Sequence, residues 1–212
     1  AGLSALSFLK NDMNPRSWAM NGATVAVSPD AYATHTNPAG VADMRSLTLA
    51  TSNLFIGGGV NQAFVSGGFP INESSSFGLS VNSLNTGAME VRTEFMPQGT
   101  GQKVFANNMA IGATYAMRFS DMFSAGITLK YIYEQLAEYK NHTAGFDLGF
   151  LYTTDWKDLS FAVMIQNFSG NSSLSGDYLE VDFNRPGVAL GEYTAPTVFR
   201  MGASLTVYEK DQ

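Results

Sequence analysis

From Met109 to Glu134 the chain alternates almost without a break. Met109, Ile111, Ala113, Tyr115, Met117 and Phe119 are interleaved with Ala110, Gly112, Thr114, Ala116, Arg118 and Ser120. After a short turn at Ser120-Asp121 the pattern resumes with Phe123, Ala125, Ile127, Leu129, Tyr131 and Tyr133. Their alternates are Ser124, Gly126, Thr128, Lys130, Ile132 and Glu134. A period of two specifies β-strand, with one face dry and the other small or polar. Each strand exceeds the usual length of about 5–6 residues in a globular sheet. Each also reaches the roughly 9–11 residues that a strand needs to cross lipid.

Composition points the same way. Charged residues are 14% of the 212, against roughly 25% in ordinary soluble domains. There are 21 Gly, 15 Phe and 9 Tyr, which suits alternating barrel strands better than a solvated globule. The net charge of −6 and the lack of a basic patch argue against nucleic acid as a partner. Cysteine is absent, so neither a disulfide framework nor a Cys-based metal site is available. No apolar run reaches the length of a transmembrane helix. A start at Ala1 fits a mature chain whose export signal has been removed.

The pattern predicts an all-β, antiparallel transmembrane barrel over residues 46–212, preceded by a short helical N-terminal segment over 1–45. Membrane strands are expected at 46–56, 62–69, 76–84, 106–119, 122–135, 144–154, 158–167 and 196–208. Tight turns are expected at 120–121 and 155–157, and at Gly57-Gly58-Gly59. Longer connections are expected at 85–105, 136–143 and 168–195. Short turns belong to the periplasmic side of such barrels and long loops to the outside. Residues 88–96 alternate too, but a further crossing there would break that bookkeeping. They are read as a hairpin extension within the outer loop.

Arg118, Lys130, Glu134, Asp147 and Arg200 all fall on the polar face, as candidates to line a lumen, hold an inserted plug or pair with one another. A one-residue slip would turn them toward lipid. Arg or Lys at the lipid midplane costs about 2–4 kcal/mol each, so the register is strongly specified if hydrocarbon is the outer solvent. A soluble sandwich would alternate as well, but its wet face should be rich in charge. Here that face is mostly Gly, Ser, Thr and Ala.

The N-terminal segment carries helix punctuation. Asn14-Pro15 supplies an N-cap and a first-turn proline, and Asn21-Gly22 a stop. Ser28-Pro29 repeats the start, and the turn Asn37-Pro38-Ala39-Gly40 is expected to end that second piece. Chemical motifs are few. His35 and His142 read as exposed loop histidines, too far apart in sequence to suggest a shared zinc site. Gly99-Thr100-Gly101-Gln102-Lys103 lacks the full phosphate-loop pattern and a following helix. No nucleophile elbow is present. The long 168–195 loop, with Tyr178, Phe183 and Tyr193, is a candidate protein-docking surface.

The ordered series Ser7-Phe8-Leu9-Lys10, Pro15-Arg16-Ser17-Trp18-Ala19-Met20-Asn21-Gly22-Ala23, Ser28-Pro29-Asp30-Ala31 and Asn37-Pro38-Ala39-Gly40-Val41-Ala42 resembles the PorV/PorQ family. These are outer-membrane proteins of the Bacteroidetes type IX secretion system. The likeness continues through Ala113-Thr114-Tyr115-Ala116, Phe123-Ser124-Ala125-Gly126, Leu129-Lys130-Tyr131 and Phe146-Asp147-Leu148-Gly149. Asn21-Gly22 stands where the family carries a double glycine, and Thr36 where an aromatic usually precedes the Asn-Pro turn. Family members are longer and similar to the wide barrel of fatty-acid transporters. An eight-stranded barrel has room inside only for its own side chains. Either residues 1–45 lie outside the barrel, or further strands, from residues missing from this chain or from a partner, complete a wider one; the favoured reading is a wide barrel that is incomplete in this chain.

By that resemblance the protein is a non-enzymatic barrel of the bacterial outer membrane. Its implied partners are outer-membrane lipid and a secretion translocon or secreted cargo protein, met through loops 85–105 and 168–195. The alternative is a fatty-acid-transporter-like conduit for hydrophobic molecules, with residues 1–45 as a hatch. Neither reading calls for a cofactor or metal, though lipid or detergent could be bound. The conduit predicts an apolar path into the lumen, which a lumen packed with side chains would defeat.

Overall fold

The computed structural model describes residues 6–27, 30–175 and 192–207. Eight long strands form one antiparallel sheet: β1 (Thr48–Gly57), β2 (Val60–Pro70), β3 (Ser75–Asn85), β6 (Ala106–Ser120), β7 (Phe123–Leu136), β8 (Tyr139–Thr153), β9 (Ser160–Ser169) and β12 (Val198–Ser204). They follow one another in that order. Two small hairpins accompany them, β4 (Met89–Glu90) with β5 (Lys103–Val104) and β10 (Asn171–Ser172) with β11 (Tyr193–Thr194). The sheet curls but does not close on itself: β1 and β12 are its two edges and do not pair with each other.

The alternation in the sequence becomes alternation in burial. Along β7 every second residue from Ser124 to Ile132 is buried, while Ile127, Leu129 and Tyr131 are exposed. β2, β3, β6, β8 and β9 behave likewise. The buried residues lie on the concave side. The convex side is exposed and strongly apolar: Phe55, Leu129, Phe199 and Met201 are 77%, 62%, 60% and 70% exposed.

Strand ends differ from the sequence expectation by a few residues throughout, and two differences change the architecture. Residues 136–143 were expected to be a long connection, but β7 and β8 pair from Leu136↔Tyr139 onward. Only Ala137 and Glu138 form the turn, with Ala137 at φ 54°. The alternation continues through polar residues: Tyr133 and Gln135 oppose His142 and Lys140. The second difference is at Asn37-Pro38, which does not end a segment. The Asn37 side chain accepts from Ala39 N–H and Pro38 takes the first helical position, so a 3-10 helix runs from Pro38 to Asp43. This is the same cap-then-proline signal that starts α1 (Pro15–Ala19), where Asn14 accepts from Arg16 N–H. Ser28 and Pro29 lie outside the described residues.

Connections β2–β3, β6–β7 and β8–β9 share one end of the sheet, here the turn end. The glycine turn at 57–59, the segment 86–105, the Ala137-Glu138 turn and the β9–β12 connection share the other, the hairpin end.

The N-terminal residues lie against the concave face. They comprise a 3-10 helix (Ser7–Lys10), α1, α2 (Ala33–Thr36) and the Pro38–Asp43 helix. The core is therefore not sheet on sheet. Three apolar clusters are shared between this insert and the strands. One joins Leu6, Phe8 and Leu9 to Ala110, Ile132 and Ala195. A second joins Val25, Ala26 and Ala39 to Leu151, Ala162 and Met164. The third joins Ala31, Ala33, Val41, Ala42 and Met44 to Ala116.

Candidate functional site

The concave face is lined by polar side chains, which the sequence offers as candidates to line a lumen, hold an inserted plug or pair with one another. Several of them hold the backbone of the insert. Gln62 of β2 donates to the Phe8 carbonyl (3.0 Å) and to Asn82 Oδ1 (2.8 Å), and accepts from Asn11 (2.6 Å). Ser52 donates to the Met13 carbonyl, Ser66 to that of Ala31 (2.7 Å), Gln166 to that of His35 (3.1 Å) and Ser204 to that of Ala26 (3.0 Å). The reason is elementary. Irregular backbone held away from water leaves carbonyls without partners, and an unmatched buried polar group costs about 1–3 kcal/mol. Ser, Thr, Asn and Gln at inward positions supply those partners.

At the centre lies a buried ion pair. Lys130 Nζ of β7 sits 2.6 Å from Asp147 Oδ2 of β8, with side chains 8% and 0% exposed. Lys130 also donates to Asn167 Oδ1 (2.8 Å), and Asn167 N–H donates to Asp147 Oδ1 (2.7 Å). Asn167 Nδ2 reaches the Leu9 carbonyl (3.4 Å). A β-bulge makes this geometry. The β8–β9 register shifts between Phe146 and Leu148, and Asn167 takes φ 59°. The extra residue lets Gln166 and Asn167 both turn inward, where each is fully buried.

The Asn37–Gly40 turn is seated on two glycines. A Cβ on Gly126 of β7 would collide with the Pro38 backbone, and one on Gly149 of β8 with Asn37 Oδ1. Asn37 Nδ2 bridges the Val25 carbonyl (2.9 Å) and the Phe150 carbonyl (3.4 Å). Glycine is needed here for close approach rather than for its backbone freedom.

The other charged candidates stand apart from this centre. Arg118 pairs with Asp43 of the insert at 2.6 Å near the turn end, partly exposed. Both border an open polar basin of about 590 Å³, with Arg45, Asp121 and Asp158. Arg200 lies on the concave side of the edge strand β12. Glu134 accepts from the Tyr193 hydroxyl (2.8 Å), which in turn accepts from Asn141 (3.1 Å). Burial and the Glu134 carboxylate raise the pKa of Tyr193 above the usual phenol value. Tyr193 is thus tied inward at the hairpin end, and Tyr178 and Phe183 lie outside the described residues. Among the described residues, no three His, Cys, Asp or Glu side chains gather as metal ligands.

His35 corrects an expectation. It is not an exposed loop residue but 5% exposed, because α2 is pressed onto the concave face. Burial, reinforced by Lys130, lowers its pKa from 6.5 to about 4. The clue available was the run of small residues from Ala31 to Ala42, too poor in charge for a solvated loop. His142 is exposed; its Nδ1 meets the Tyr131 hydroxyl at 2.5 Å and its ring tilts against Tyr133. Gln62, Gln166 and Asn167 were not picked out from sequence, and only the bulge gives the last two their shared direction.

Comparison with curated proteins finds no match. The family model of the type IX secretion system protein PorV matches residues 3–147, which takes in the insert and the sheet as far as Asp147 of β8. The match covers more than half of the 212 residues, and the chain belongs to the PorV family.

Proposed function

We propose that the chain forms the wall of a non-enzymatic outer-membrane barrel in type IX secretion and binds the translocon or its cargo from the hairpin end. The observation that carries the membrane reading is the convex face. From Phe123 to Tyr133, β7 advances ten residues between two aromatic rows, Phe123 with Tyr152 and Tyr133 with His142. At about 3.4 Å per residue and a tilt of about 40°, that rise is roughly 26 Å. The apolar band of an outer-membrane barrel is about 25 Å tall and flanked by aromatic girdles. Ile127, Leu129, Phe150 and Val163 lie between the rows, and all are exposed.

In hydrocarbon an open sheet edge is not viable, since each unpaired backbone group costs several kcal/mol. The free edges of β1 and β12 therefore call for further strands, as a wide fatty-acid-transporter-like barrel would supply. Docking is assigned to the hairpin end because it projects beyond the sheet. There Val91 N–H donates to the Gln102 carbonyl (2.9 Å), extending the β4–β5 hairpin, and Phe95 and Met96 are 94% and 55% exposed. The conduit alternative lacks such support. The insert and its clusters cover much of the concave face, and the basin that opens there beside Arg118 is polar.

The test is affinity purification from detergent-solubilised outer membranes. A variant with residues 88–103 replaced by a short turn is compared with the unaltered chain. Loss of secretion-system components, with heat-modifiable gel migration retained, is the expected result. Undiminished recovery of those components overturns the docking assignment.

A further inference from the structure

Among the described residues, one side chain of the insert has a buried polar atom without a hydrogen-bond partner. The His35 ring tilts against Phe64 of β2 at 5.5 Å, and its Nε2 makes no hydrogen bond. It borders a void of about 10 Å³, room for one water molecule at most, shared with Ser80, Asn82, Gly112 and Lys130.

The charged groups facing His35 come from four places: Lys130 on β7, Asp147 on β8, Asp12 ahead of α1, and Arg200 on β12. Both acids are engaged. Asp147 holds Lys130 with one oxygen and accepts from Asn167 N–H with the other. Asp12 accepts from Asn14 N–H and from the Ser17 hydroxyl. A proton on His35 would thus place a second buried cation beside Lys130, and burial together with Lys130 outweighs the attraction of Asp12 and Asp147. An unpaired buried charge is relieved by moving the group to water. The sheet cannot move Lys130 without breaking its ladder. The insert can move His35, because α2 is only four residues long.

We infer that His35 is an acid-sensitive latch, whose protonation releases residues 33–43 from the concave face while the sheet stays folded. The inference concerns only the contact between insert and sheet, so it stands apart from the docking assignment.

The sign follows from the group's two environments. Seated, His35 has a pKa of about 4; released, it returns to 6.5. Its neutral form favours the seated state, so the stabilisation is complete above pH 6.5 and is lost as pH falls toward 4. By linkage, the opening equilibrium at pH 5 is about 30-fold larger than at pH 8. The experiment is amide hydrogen exchange of the full chain folded in detergent, at pH 8 and pH 5, corrected for intrinsic rates. Protection in residues 33–43 should fall about 30-fold, and protection in β7 should not change. His35→Gln should abolish the fall, and His142→Gln should keep it. Constant protection in the unaltered chain overturns the latch, as does an equal fall in His35→Gln or a parallel loss in β7. Should His35→Gln fail to fold, His142→Gln decides: a response that disappears there belongs to the other histidine and overturns the inference.

Discussion

The two faces of β6, β7 and β8 are made of alternate residues on the same strands, yet they answer to different surroundings. The convex face is large, apolar and exposed, with Tyr115, Leu129 and Phe150 standing clear of other protein. The concave face is small or polar and, away from the basin beside Arg118, largely covered, with Thr114, Thr128 and Asp147 fully buried. The usual arrangement of a soluble sheet, apolar inside and polar outside, is inverted. The lesson is that the concave polarity does not mark contact with water. Away from the basin beside Arg118 it marks contact with other buried polar groups, either within the sheet, as between Lys130 and Asp147, or with insert carbonyls that Gln62, Ser66 and Gln166 satisfy.

The largest effect should come from the centre of the concave face. Lys130→Met leaves the Asp147 carboxylate buried without its cation, and breaking a buried pair in this way costs about 3–5 kcal/mol. Denaturant unfolding in detergent should show that loss. Removing both charges with Lys130→Met and Asp147→Leu should recover most of it. A single variant within about 1 kcal/mol of the unaltered chain would mean that water reaches the pair, and the contrast between the faces would then be one of degree.

The convex face is broken by the opposite operation, which is to add a cation. Leu129 is adjacent in sequence to Lys130 but points the other way, near the middle of β7. Leu129→Arg should cost about 2–4 kcal/mol when the protein is folded in a bilayer. On a surface facing water, the same change should stay within about 0.5 kcal/mol. Unfolding titrations in lipid vesicles separate the two. Neighbouring residues would then tolerate a cation on one side of the strand and reject it on the other.

Much of the sheet was legible in the sequence, because a period of two survives wherever apolar and small residues alternate. The β6–β7 hairpin could be drawn from Met109 to Tyr133 for that reason. The β7–β8 turn was not legible, since Tyr139–His142 alternates in polarity too weakly to stand out from a loop. The concave site was legible only in part. Lys130 and Asp147 could be assigned to one face, but their pairing depends on register. The inward turn of Asn167 depends on a bulge that leaves no local signature beyond an Asn tolerant of positive φ. The burial of His35 is not legible in the sequence, because it comes from strands distant along the chain and not from its own neighbours.

The smallest of these effects sharpens the comparison most, because it asks whether shape as well as polarity distinguishes the concave face. Gly149 stands on β8 between Leu148 and Phe150 and lies opposite Gly126 of β7. Together they leave a hollow two strands wide, into which Asn37 and Pro38 descend. Gly149→Ala would place a methyl group where the Asn37 side-chain oxygen now sits, while strand propensity on its own would favour alanine slightly. If the hollow is a socket for the insert, overpacking should prevail and cost about 1–3 kcal/mol. Exchange protection at Asn37–Val41 should fall while that of β7 and β8 is kept. A variant as stable as the unaltered chain, with protection at Asn37–Val41 unchanged, would show that the turn only rests near the glycines. The insert would then be held by its carbonyl partners alone.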